Sequence, residues 1–188
     1  MKTSIVIGWI GLASLMAFVS PRSATNDEIR KRGDAITQVS GQVLSKAVMQ
    51  AMGQGGVAHA ATFCNTRAYP ITDSLAKAHS VTIKRTAIRW RNPKNKPNKL
   101  ERKLWGEFEL DQKNGKPLEA KVVALGKDEW LYARPILLQA PCQVCHGKLG
   151  ETLTAENYAT IKTLYPKDKA TGFTTGDLRG LWVLKFKH

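Results

Sequence analysis

The segment Pro141-Cys142-Gln143-Val144-Cys145-His146-Gly147 constrains this chain more than any other. Two cysteines three positions apart, with a histidine directly after the second, have the spacing of a c-type haem attachment site. Each thiol can add across a porphyrin vinyl group, and the two thioethers then hold the adjoining imidazole beneath the iron as its proximal ligand. A bare pair of cysteines at this spacing also fits a redox disulfide or half a zinc site. The competing reading is therefore a Cys142–Cys145 disulfide or thioredoxin-like pair, with His146 an ordinary surface residue.

The N-terminus supports the haem reading. Lys2 precedes an uncharged run from Thr3 to Ser20 rich in Ile, Val, Leu and Trp, which has the form of a secretory signal. No small-residue cleavage site is clean, because Arg22 occupies the minus-three position of Arg22-Ser23-Ala24. The run is also close to the roughly 20 apolar residues that span a bilayer. Residues 1–24 are thus expected to be a signal peptide or an N-terminal membrane anchor, and residues 25–188 a single domain. Either way the domain lies outside the cytoplasm, in the periplasm or its equivalent, which is where c-type haem is attached.

Three cysteines in an oxidising compartment leave one unpaired if two hold haem, and that one is Cys64. The chain carries 29 Lys and Arg against 15 Asp and Glu, a net charge of +14. An exported protein has little access to nucleic acid, so that partner is set aside. The charge favours haem propionates, anionic lipid surfaces and acidic redox or signalling proteins, or it is simply a solvated cationic surface.

Cap-type residues and acids at Thr25-Asn26-Asp27-Glu28 predict a helix start. Ile29, Ile36, Val39, Val43, Ala47 and Met52 continue it as a long helix to about Met52, where Gly53, Gly55 and Gly56 break it. A second helix is expected over Val57–Ala68, ending or kinking at Pro70, with a short third piece over Ile71–Ala78. Val81–Arg91 reads as a strand with Val81, Ile83, Arg85, Ala87 and Arg89 on one face. Guanidinium on an apolar face needs an anion, and haem propionates or a carboxylate such as Glu107 qualify. Arg85, Arg89 and Arg91 are the propionate candidates. On a strand Arg85 and Arg89 would lie about 13 Å apart, so a structural ion pair is the safer role for at least one. A Pro-punctuated loop follows, then a helix from Lys99 to about Leu110 capped by Asn98. Lys121–Leu125 and Glu129–Leu138 read as two strands, Thr154–Leu164 as a helix, and Leu181–Phe186 as a last strand after a Gly-rich loop. Helices first, then strands with helices packed on one side, define an α+β domain.

The second axial ligand decides much of the chemistry. No Met follows the motif, which excludes the ordinary small electron-carrier arrangement. Upstream candidates are Met49, Met52, His59, Cys64 and His79, with His188 at the end. Val57, Ala61, Cys64 and Ala68 share one stripe of the second helix, so Cys64 faces inward, whereas His59 lies about 140° away. Cys64 is then either an axial ligand or a small buried hydrophobe.

Cys64-Asn65 with Ala68, Arg85-Thr86, Arg89, Arg91-Asn92-Pro93-x-Asn95-x-Pro97, Glu101 and Pro135-Ile136 form a composite pattern with the motif itself. It continues through Tyr165-Pro166-x-Asp168-x-Ala170-x-Gly172 and Gly176-Asp177-x-Arg179-Gly180. The pattern, spanning roughly Asn26 to Phe186, resembles a bacterial family of exported c-type haem domains that occurs alone and as the sensor region of signalling kinases. The resemblance implies a PAS-like antiparallel sheet flanked by helices, one covalent haem c, and a His/Cys axial pair at His146 and Cys64. One departure is Leu100 before Glu101, where the family pattern suggests an aromatic residue. No kinase or other output region is present in the sequence, so sensing would need a separate partner.

A thiolate opposite a histidine stabilises ferric iron and lowers its potential. The leading expectation is a redox or gas sensor with Cys64 as the switch, and the alternative is a periplasmic electron-transfer cytochrome c. An enzyme such as a peroxidase is disfavoured, because a bound thiolate blocks the distal position and no distal His–Arg pair is evident.

Overall fold

The computed structural model describes residues 21–187, with side chains from residue 25 onward. The expected leader falls largely outside the described residues, as does His188. Among the described residues no helix is long and apolar enough to cross a membrane.

Alternating apolar residues build one antiparallel sheet of four strands: β1 (Thr82–Thr86), β2 (Lys121–Ala124), β3 (Glu129–Leu137) and β4 (Leu178–Lys187), in the order β1-β4-β3-β2. Trp130 and Tyr132 of β3 and Trp182, Leu184 and Phe186 of β4 point to one face. Leu131, Ala133, Leu181 and Val183 point to the other. This is the period of two that a pleated strand imposes. Both faces are covered, so the expectation of helices on one side is corrected. A sheet whose strands are apolar on both faces cannot leave one in water.

The first face carries α1 (Pro21–Ala78), which departs from helical geometry at Gly55 and Gly56. Ile29, Ile36, Leu44 and Ala68 all belong to the cluster on this face. A straight helix from residue 29 to residue 68 would span about 60 Å at 1.5 Å per residue. A four-stranded sheet is only about 20 Å wide. The chain must therefore reverse at the glycine pair, giving two arms (21–54 and 57–78) that return to the same sheet. Each fully buried Ile, Leu or Phe in this layer contributes about 1.5–3 kcal/mol. The first arm sits so close that a Cβ at Gly33 would lie 2.3 Å from the Tyr132 ring. The Tyr132 hydroxyl donates to Asp34 Oδ1 at 2.6 Å, fixing the same contact.

Two expectations for α1 need correction. The helix already includes Pro21, so Thr25-Asn26-Asp27-Glu28 lies inside it, where such residues cost only a few tenths of a kcal/mol each. It also runs through Pro70 without a break, because Ala68 and Ile71 on either side pack against the sheet.

The second face carries α2 (Lys99–Lys113), with Leu104, Trp105 and Phe108 buried. Asn98 caps it as expected, and Glu101 completes a reciprocal capping box. Glu101 is also 2.7 Å from Lys84 of β1, which ties helix to sheet. Strand β1 ends at Thr86, short of the expected Arg91, because the chain turns through a single 3-10 turn at Pro93–Asn95. A helical turn α3 (Gln143–His146) and α4 (Ala155–Leu164), capped by Thr154, complete the fold.

Candidate functional site

The motif lies just beyond the end of β3, where Ala140–Cys142 forms a 3-10 turn that leads into α3. Gly147 closes that turn, its N–H donating to the Gln143 carbonyl at 2.7 Å. A Cβ at Gly147 would fall 1.8 Å from Thr152 Oγ1 and 2.6 Å from the Gln143 carbonyl, so only glycine fits. The loop leading into β4 is fastened alongside. Gly172 N–H donates to the Gly147 carbonyl at 2.6 Å, and Phe173 N–H donates to the His146 carbonyl at 3.0 Å.

His146 Nδ1 is 2.7 Å from the Ala170 carbonyl. A carbonyl only accepts, so Nδ1 carries the proton and Nε2 keeps its lone pair. Backbone orientation of a histidine through Nδ1 is the usual preparation for ligation through Nε2. Desolvation, with the nearby Arg91 and Arg179 charges, holds the imidazole well below its ordinary pKa, so it is neutral at physiological pH. Ala170 is itself positioned by Asp168, whose Oδ1 accepts the Ala170 N–H at 2.9 Å.

Four arginines surround this arrangement. Arg91 Nη2 donates to the Cys145 carbonyl at 2.5 Å and to the Ala170 carbonyl at 3.3 Å. It also lies 3.2 Å from Asp168 Oδ2, whose side chain is fully buried. The structural ion pair thus falls to Arg91, whereas the strand spacing predicts it for at least one of Arg85 and Arg89. The pair is poorly aligned, and both Arg91 Nε and Asp168 Oδ2 are buried without a hydrogen bond. Arg89 is exposed and stacks on Phe173 at 4.1 Å. Arg179 stacks on the same ring at 5.3 Å and donates from Nη1 to the Arg89 carbonyl. Burial and the Arg91 charge bring the Arg179 pKa down to about 9. Arg85 lies on the α1 face over Trp182, at 5.9 Å from the ring. Glu107 is not its partner, because Glu107 pairs with Lys121 at 3.4 Å. The strand distance computed for Arg85 and Arg89 does not apply, since β1 stops between them.

Cys64 projects from the second arm of α1, on the stripe that buries Val57, Ala61 and Ala68. Val57 and Ala61 pack with Cys145, Val144 and the α4 residues Ile161 and Tyr158 in one cluster, so this arm faces the motif. Burial pushes the Cys64 thiol up, and the charges of Arg85 and Arg91 oppose that rise. Cys64 in turn helps to raise Cys145, behind burial and alongside Arg91's opposing effect. All three cysteines are free thiols. Of the other ligand candidates, His59 is exposed and Met49 is 52% exposed, while Met52 packs into the cluster beside the motif.

The set therefore brings together two thiols on a tight turn, one imidazole with a free Nε2, and a third thiol on the facing helix. The frame holds four guanidinium groups against one carboxylate. These donors match a flat metal macrocycle with carboxylate arms, and Arg91 Nε is a buried donor left without a hydrogen bond. Asp168, Ala170, Phe173 and Arg179 had no assigned role from sequence, although three of them stand in the composite pattern. Their functions depend on a loop whose contacts no periodicity reveals.

Fold and site together define an α+β domain with a CxxCH turn locked into the end of its antiparallel sheet. The chain belongs to the Tll0287-like family, whose model matches residues 14–186. The crystal structure of the cyanobacterial heme-protein Tll0287 resembles it with a TM-score of 0.58 and 23% identity, over 90% of this chain and 98% of that one. At that identity the likeness is one of fold. No curated protein matches.

Proposed function

We propose that this chain is an exported c-type haem protein, with Cys142 and Cys145 forming the thioethers and His146 Nε2 and Cys64 Sγ as the axial donors. The observation that carries the reading is the Nδ1–H of His146 bonded to Ala170, inside a CxxCH turn, with Nε2 left free. The family relationship, and the heme-protein with the same fold, support it. A PAS-like description of the sheet belongs to the same proposal.

Bound haem would supply a one-electron iron centre able to take up diatomic gases. The chain does the rest. Arg91 and Asp168 hold the Ala170 carbonyl where it orients His146. Arg85 and Arg89, two of the three arginines expected from sequence, offer charge to propionates. Burial dominates at Cys64 and favours the protonated thiol, while two guanidinium charges oppose it and favour thiolate. That opposition suits a switch: with haem bound, Cys64 would be the residue to pass between thiolate and thiol as the iron changed oxidation state. The protein is thus read as a redox or gas sensor acting outside the cytoplasm, on an acidic signalling partner. The net charge of +14 favours electron transfer to an acidic protein as the second reading.

Ferric and ferrous spectra, with and without CO, on the haem-matured protein test both readings. The sensor reading expects a low-spin ferric spectrum that Cys64→Ala abolishes, and CO binding to the reduced protein. An unaltered low-spin spectrum in Cys64→Ala removes the switch. Failure of the reduced wild type to bind CO favours electron transfer.

A further inference from the structure

Arg179 stands out because nothing in the proposed ligand set uses it, yet its side chain lies directly beside the His146 ring. Its Nε is 3.3 Å from His146 Nδ1. The Nδ1 proton is committed to Ala170 at 2.7 Å, so Nδ1 has no lone pair to receive an Arg179 N–H. A guanidinium placed there without a hydrogen bond to gain must be held by other contacts. The Phe173 ring holds its face, and the Arg89 carbonyl accepts from its Nη1 at 3.3 Å. Its backbone is the second residue of β4, next to the register shift opposite Ile136 and Leu137, so the side chain leaves a braced strand end. The nearest acid, Asp168, is engaged by Arg91 and the Ala170 N–H.

We propose that Arg179 is a positioning residue that sets the donor strength of His146: its fixed positive charge behind Nδ1 draws ring electron density towards Nδ1 and away from Nε2. A carboxylate behind a ligating histidine makes it a stronger donor. A cation in the same place has the reverse effect, because withdrawing electron density from the ring weakens Nε2. The charge disfavours ferric iron relative to ferrous, and so offsets part of the lowering that a thiolate on the other side brings. Phe173, stacked by both Arg89 and Arg179, is the platform that keeps the charge in place. The inference rests on His146 being the haem ligand proposed above.

Full-length protein, matured with haem, should be compared with Arg179→Gln and Arg179→Lys. Three measurements apply: the haemochrome spectrum for thioether attachment, the midpoint potential, and the iron–histidine stretching frequency of the reduced protein in a Cys64→Ala background. Arg179→Gln is expected to keep attached haem, to shift the oxidised-to-reduced ratio about tenfold towards oxidised, roughly 59 mV for one electron, and to raise the stretching frequency. Arg179→Lys is expected to stay near wild type in both. A lowered potential with an unchanged stretching frequency means that Arg179 pairs a propionate instead, and overturns the inference. Unchanged potential and frequency in the Gln variant overturn it too. So does a Lys variant whose potential falls well below wild type, a readout that stands even if the Gln variant does not fold. A wild-type protein that takes up no haem sinks the function itself, a result distinct from all of these.

Discussion

At Gly147 the site depends on a missing side chain. The Gln143 carbonyl lies 2.6 Å and Thr152 Oγ1 1.8 Å from where a Cβ would stand, and backbone cannot rotate away as a side chain can. Gly147→Ala is therefore expected to destabilise the protein by about 2 kcal/mol, the usual cost of forced overpacking. Thermal unfolding checks this, with a fall of roughly 4–8 °C expected for a domain of this size. The motif around it was legible one residue at a time: Cys142, Cys145 and His146 carry their meaning in their spacing. The arginines were legible only in kind. Sequence could say that guanidinium near apolar strands needs an anion, but not that Arg91 would find Asp168, 77 positions on in the chain.

At the scale of elements, the glycine cluster that ends the first half of α1 separates into two kinds of glycine. Gly56 has φ +61 and ψ −154, a conformation that costs a side chain about 1–3 kcal/mol, and its Cβ position is open. Gly53 is helical and equally open. Gly56→Ala is thus expected to destabilise by that amount, whereas Gly53→Ala should stabilise by about 0.5–1 kcal/mol. Chemical denaturation of the two variants should show opposite signs. If both move the midpoint the same way, the reversal is not built on Gly56. The break itself was visible in sequence, since three glycines in four residues punctuate any helix. The continuation through Pro70 was not. A proline costs roughly 3 kcal/mol inside a helix, and only the sheet beneath Ala68 and Ile71 outweighs it.

At the scale of the whole molecule, Tyr132 and Tyr165 both owe raised pKa values first to burial. Tyr165 is brought up to about 12, with the Cys64 charge adding to the rise, and Tyr132 is raised further by its bond to Asp34. The unfolded chain loses these protons near pH 10, while the folded protein retains them. Their contribution to stability is therefore complete below pH 10 and drains as pH climbs from 10 to 12. Tyr165 alone accounts for a loss on the order of 3 kcal/mol at 1.36 kcal/mol per unit. Unfolding midpoints between pH 9 and 12, followed beside the phenolate absorbance, should fall together with ionisation. A midpoint flat across that range would show both hydroxyls to be open to solvent.

Sequence by itself determined the composition of the elements, the four strands and most of their ends, and the position of the CxxCH motif. Those features rest on local spacing, a period of two or 3.6 residues or a fixed interval between cysteines, which a chain displays before it folds. Tertiary structure alone decided that helices cover both sheet faces, that β1 stops before Arg89, and that the loop at 168–173 clamps His146. It also placed Arg179 behind the imidazole. Each of these is a contact between segments far apart in the chain, chosen by which surfaces had to leave water together, and no local pattern encodes that choice.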